Sequence, residues 1–88
     1  MMKKFEQIDK EINVTAVYFG ASRQSLKTFP KRIELDDTTY TFSEGLQFAI
    51  QKGQELVKIF DMTDGTAHYR LRNDVGAHSW RLMSITQN

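Results

Sequence analysis

Asp61 and His68 are the side chains best placed for acid–base chemistry in this chain. They flank a turn signal at Thr63-Asp64-Gly65, so a hairpin over 57–72 would bring carboxylate and imidazole within reach of each other. The simpler reading of such a pair is a surface hydrogen bond or ion pair without catalysis. His78 is followed by Ser79, but neighbours on a strand face opposite ways and make no nucleophile–base couple. No zinc-protease, nucleophile-elbow, phosphate-loop or dinucleotide pattern occurs. The residues therefore predict no enzyme and no cofactor, with an Asp61–His68 site as the single exception.

Binding chemistry is the richer prospect. Glu34, Asp36 and Asp37 offer the oxygen ligands that Mg²⁺ or Ca²⁺ prefers, yet an Asp-Asp pair also suits a tight turn, and no metal site is assigned. The candidate binding surface is Lys58, Phe60, His68, Arg70, Arg72 and Arg81. In the strand register given below, Lys58 lies opposite Arg70, Phe60 opposite His68 and Leu56 opposite Arg72. Like charges facing each other are mildly unfavourable, so a use for them is suggested. With Lys31 and Arg32 brought round by sheet closure, such a face would stack bases and track phosphates. The plainer alternative is a solvated face whose long side chains lie over Leu56 and Phe60.

The elements that position these residues follow from alternation. Short runs at 12–19, 31–35, 40–42, 46–50, 56–60, 68–72 and 80–85 alternate apolar and polar residues, with turn residues between them. An Asp36-Asp37 loop sets Ile33 opposite Tyr40 and Leu35 opposite Thr38, with Arg32/Thr41 and Glu34/Thr39 on a polar face. Residues 43–60 read either as a helix capped by Ser43 or as a hairpin turning at Lys52-Gly53. The helix would contain Gly45 and Gly53, each costing about 1 kcal/mol against alanine. The hairpin pairs Phe48 with Val57 and Leu46 with Ile59. A three-residue Thr63-Asp64-Gly65 loop then pairs Ile59 with Tyr69 and Val57 with Leu71, so three strands share one buried face. The strand reading explains more, with room for a single helical turn near 43–46.

Residues 1–11 carry Phe5 and Ile8, which with Ile12 stand at spacings of three and four, the stripe of a short helix; otherwise the segment forms a tail. Residues 12–19 are apolar on both sides and are expected to be covered on both. The segment 20–27 reads as a loop, and Pro30 suits a strand start or an edge. The fold expected is all-β, with or without that N-terminal helix: a small antiparallel barrel or compact sandwich of about six strands, forming one domain over 12–88.

At 88 residues such a chain buries about 60–65% of the surface its unfolded form exposes, enough for one core. The net charge of +1 gives no global pull on nucleic acid or anionic lipid. With no cysteine there is no disulfide framework and no thiolate site. No secretory signal or membrane span is seen, so a cytoplasmic protein without membrane contact is expected.

Several runs together, Ile12 to Phe19, Phe29 to Glu34, Tyr40 to Phe42, Gly65 to Asp74 and Trp80 to Leu82, resemble a loose group of small bacterial all-β proteins. That group shares a Tyr-Thr-Val-like strand and a closing Tyr-x-Leu…Trp-x-Leu hairpin. Leu35 and Phe48 stand where the group commonly has tryptophan. The resemblance implies an all-β fold and carries no catalytic residues. The functional expectation is a non-enzymatic small β-barrel module for protein–protein contact or self-association. The alternative is single-stranded nucleic-acid binding on the basic and aromatic face.

Overall fold

The computed structural model describes residues 4–21 and 26–87. Eight antiparallel strands follow one another: β1 (Lys4–Glu11), β2 (Asn13–Ala21), β3 (Leu26–Leu35), β4 (Thr38–Thr41), β5 (Glu44–Lys52), β6 (Glu55–Thr63), β7 (Ala67–Asp74) and β8 (Ser79–Gln87). They form a five-stranded sheet ordered β1-β8-β7-β6-β5 and a three-stranded sheet ordered β2-β3-β4. The all-β expectation holds. The arrangement is two sheets rather than a closed barrel, with eight strands rather than six, and no helix among the described residues. None is therefore long and apolar enough to cross a membrane.

The chain changes sheet at two corners. At Ile12, between β1 and β2, the backbone N–H donates to the Trp80 carbonyl (3.0 Å). Between β4 and β5 the Phe42 N–H donates to the Lys31 carbonyl (2.8 Å), and the next N–H, of Ser43, donates to the Thr63 carbonyl (2.8 Å). Consecutive donors thus bond to different sheets, which satisfies both groups while the strand turns. Ile12 and Phe42 bury their side chains at these corners.

Between the sheets lie Ile33, Phe60, Met62, Tyr69, Leu71, Leu82 and Ile85. Phe60 touches Trp80 with ring centroids 5.1 Å apart, and Tyr69 meets Phe42 at 5.0 Å and Tyr40 at 5.3 Å. Such offset contacts add to area burial. Residues 4–11 join this structure as an edge strand on β8 rather than a helix, because ladder pairing outweighs a helical stripe too short to stand alone. A register shift between Gln7 and Lys10, with Asp9 at φ 52°, leaves Ile8 packed on the core and Phe5 outside.

The β3–β4 hairpin has the expected register, Ile33 to Tyr40 and Leu35 to Thr38, around Asp36 at φ 54°. The β5–β6 hairpin also forms, with no helical turn at 43–46, but closes at Gly53-Gln54. Phe48 therefore pairs with Ile59 and Ile50 with Val57, two positions away from the expected register. Gly53 has φ 59°, as the first central position of a type II′ turn requires.

The larger correction is at β6–β7. Thr63 pairs with His68, and Phe60 with Leu71, so the connection is one residue longer than the loop-length rule suggested and every facing relation inverts. The cause is the Asp64 carboxylate. One oxygen accepts N–H bonds from Thr66 (2.9 Å) and Ala67 (2.8 Å), and the other accepts the Tyr69 hydroxyl (2.8 Å). Phe60 and Met62 are thereby turned inward, and Val57 and Ile59 outward to join Leu46, Phe48 and Ile50.

Elsewhere, Gly20 and Ala21 extend β2, and Leu26 and Lys27 begin β3, so both ends of the expected 20–27 loop are strand; residues 22–25 lie outside the described ones. Val17 and Phe19 are 52% and 69% exposed, so β2 is covered on one face only. Pro30 sits within β3, the central strand of its sheet, opposite the irregularity at Ala16/Val17 and beyond the end of β4, where a missing donor breaks no regular ladder. A shift between Arg70 and Leu71 on the β7–β8 pair leaves Met83 outside the register, so that Leu82 and Ile85 both face inward.

Candidate functional site

Side chains on the outer face of the five-stranded sheet form rows across it. One row runs Phe48–Ile59–Arg72–Arg81–Glu11, the next Leu46–Asp61–Arg70–Ser84–Gln7, and a third Glu44–Thr63–His68–Thr86–Phe5. Ile50 and Val57 continue the face toward the β5–β6 turn.

The sequence-expected surface is divided by this geometry. His68, Arg70, Arg72 and Arg81 share the outer face. Phe60 is 2% exposed in the core, and Lys58, on the same parity, is turned away from the arginines. The expected oppositions of Lys58 to Arg70 and Phe60 to His68 are replaced by Asn73 to Lys58 and Leu71 to Phe60. Lys31 and Arg32 lie on the other sheet. Lys31 stands 5.7 Å from the Tyr18 ring, and Arg32 bonds the Thr15 hydroxyl (2.9 Å).

Each outer-face arginine has its own carboxylate. Arg70 makes two bonds to Asp61 (2.8 and 3.0 Å), Arg72 bonds Asp74 (3.1 Å), and Arg81 bonds the Asp9 carboxylate (2.8 Å) and carbonyl (2.9 Å). The hydrogen bonds and charge of Asp61 hold Arg70 further in its charged form, and Asp9 does the same for Arg81. These pairs leave little unbalanced positive charge for phosphate.

The acid–base candidates are separated as partners. Asp61 is engaged by Arg70, while His68 sits opposite Thr63 and is exposed. Both line an open concavity of about 740 Å³, together with Phe5, Leu46, Arg70 and Thr86. Asp36 shapes its turn and lies 4.0 Å from Lys10. Among the described residues no group of three or more His, Asp or Glu is arranged around a point where a metal ion would sit.

Asp64 is the residue whose role the pattern of apolar positions did not reveal. Burial pushes its carboxyl up, but the N–H groups of Ala67 and Thr66 and the Tyr69 hydroxyl outweigh that and leave it below the ordinary aspartate range. Burial and the same bond push the Tyr69 phenol up. An Asp before Gly in a turn carried this signal in principle.

What distinguishes the outer face is apolar. Leu46, Phe48 and Ile50 are 64%, 50% and 50% exposed, and they adjoin half-buried Val57 and Ile59. Alternation in the sequence places these residues together on one face, and the structure turns that face outward rather than into the core. Comparison with known proteins finds no family model, no curated protein and no solved structure that matches the chain.

Proposed function

We propose that this chain is a non-enzymatic β-module that makes protein–protein contact through the outer face of β5 and β6. The supporting observation is the apolar group Leu46, Phe48, Ile50, Val57 and Ile59, open on a sheet face whose arginines are already paired. Contiguous exposed apolar surface of this kind marks interaction sites. Apolar burial supplies most of the free energy of association, and it needs no catalytic group. Single-stranded nucleic-acid binding draws less support, because Phe60 is in the core and the outer arginines have internal carboxylate partners.

A photo-crosslinking amino acid at position 48, with position 39 on the other sheet as control, tests this in cells. The expected result is a protein adduct from position 48 and none from position 39. Absence of any protein adduct at 48, together with oligonucleotide binding that weakens steeply with salt, would reverse the preference between the two readings. The mass of the adduct separates a second copy of the chain from a different protein.

A further inference from the structure

Four strands lie at sheet edges: β1 and β5 in one sheet, β2 and β4 in the other. Unpaired edges invite pairing with another chain, and proteins blunt them with charge, bulges or brevity. Strand β1 has Lys4, Glu6, Lys10 and Glu11 and a register shift. Strand β2 carries two register shifts, and β4 has only four residues. Strand β5 carries charge only at its two ends, Glu44 and Lys52, and has neither a register shift nor brevity to protect it. It is nine residues long, pairs with β6 without a shift, contains no proline, and has Leu-Gln-Phe-Ala-Ile at its centre.

We propose that β5 pairs antiparallel with β5 of a second copy of this chain, about a two-fold axis at Phe48; the proposal rests on the contact reading above, names its partner and places the contact at the β5 edge of that apolar face. In a two-residue hairpin the residues flanking the loop form a hydrogen-bonded pair. Lys52 and Glu55 flank this loop, so Lys52, Ile50, Phe48, Leu46 and Glu44 direct their backbone groups to β6. Gly45, Gln47, Ala49 and Gln51 direct theirs to the free edge. An axis at Phe48 sets Gln47 against Ala49 of the second copy and Gly45 against Gln51, so outward donors meet outward acceptors.

The same axis matches the side chains. Phe48 meets Phe48, Leu46 meets Ile50, and Glu44 meets Lys52, twice each by symmetry for the last two. Neither Glu44 nor Lys52 has an ion-pair partner among the described residues, unlike the arginines of this sheet. Sliding the axis to Gln47 or Ala49 sets Glu44 or Lys52 against an apolar residue. Parallel pairing in register sets like charges side by side. The Phe48 axis alone matches charge with charge and apolar with apolar, and it closes the assembly as a dimer rather than a fibre.

Sedimentation equilibrium from micromolar to millimolar concentration gives the test. The parent chain is expected to reach twice its 10.2 kDa mass as concentration rises. Ala49→Pro removes an edge-directed donor that the monomer does not use, so it is expected to stay folded and monomeric. Glu44→Lys and Lys52→Glu each create two like-charge oppositions and are expected to raise the dissociation constant about tenfold. Mixing those two variants restores opposite charge at both sites and is expected to restore the dimer. A parent chain that stays monomeric throughout, or single variants that dimerise like the parent, would overturn the self-pairing. A position-48 adduct with a different protein would leave the contact reading standing even then.

Discussion

Replacing Phe60 by alanine, beside Ile59 by alanine, puts the facing of β6 to a quantitative test. Phe60 is 2% exposed, with its ring 5.1 Å from Trp80 and 6.3 Å from Phe29. Removing a buried phenylalanine costs about 3–5 kcal/mol, the lost transfer energy plus the cavity left behind. Ile59 is half-buried on the open face, where no closed cavity would remain, and its truncation is expected to cost about 1 kcal/mol. A chain of this size has a total stability on the order of 5–10 kcal/mol, so the first variant loses much of it and the second little. Trp80, the only tryptophan, reports both by fluorescence in urea titrations at equal slope. The Phe60 variant should also melt at least ~12 °C lower. Equal losses for the two variants, or a greater loss for Ile59→Ala, would mean that β6 is inverted and that Ile59 rather than Phe60 faces the core.

Other outcomes follow from single contacts. Asp64→Asn should remove an acid-sensitive increment of stability. The folded carboxyl lies below its unfolded value, so its contribution is present above about pH 4 and lost as pH falls through the lower folded value. Urea titrations of both proteins between neutral and acidic pH should therefore converge at the acid end, and parallel curves would count against the bond set. Gly45→Ala should destabilise by about 1–3 kcal/mol, because a Cβ there would meet the Met62 side chain and lie 2.8 Å from the Asp61 carbonyl; thermal denaturation reads this. Arg70→Ala should change stability by no more than about 1 kcal/mol, since its bidentate partner Asp61 is part of a solvent-exposed pair. A loss of several kcal/mol in denaturant titration would contradict that.

Legibility in the sequence varied with what set each register. The β3–β4 hairpin was readable to the residue, because Ile33, Leu35 and Tyr40 alternate with charged or hydroxyl neighbours and Asp36-Asp37 suits a tight loop. The β6 run, Leu56 to Met62, carries apolar residues at both parities: Leu56, Phe60 and Met62 on one, Val57 and Ile59 on the other. Alternation cannot choose between them. The choice falls to the Asp64 turn, whose side-chain bonds set the length of the connection. The basic surface failed with that register, since Phe60 went to the core and Arg70 to Asp61. The N-terminal stripe of Phe5, Ile8 and Ile12 mimicked a helix because the irregularity at Asp9 breaks the period of two.

The availability of the β5 edge is open to direct measurement by amide hydrogen exchange, residue by residue, at two protein concentrations. In dilute solution the N–H groups of Gln47, Ala49 and Gln51 should exchange freely while those of Leu46, Phe48 and Ile50 are protected by β6. At high concentration the first set should gain protection as the second copy binds. Protection of Ala49 already at the lowest concentration, or free exchange at the highest, would contradict an edge that is open in one chain and closed by two.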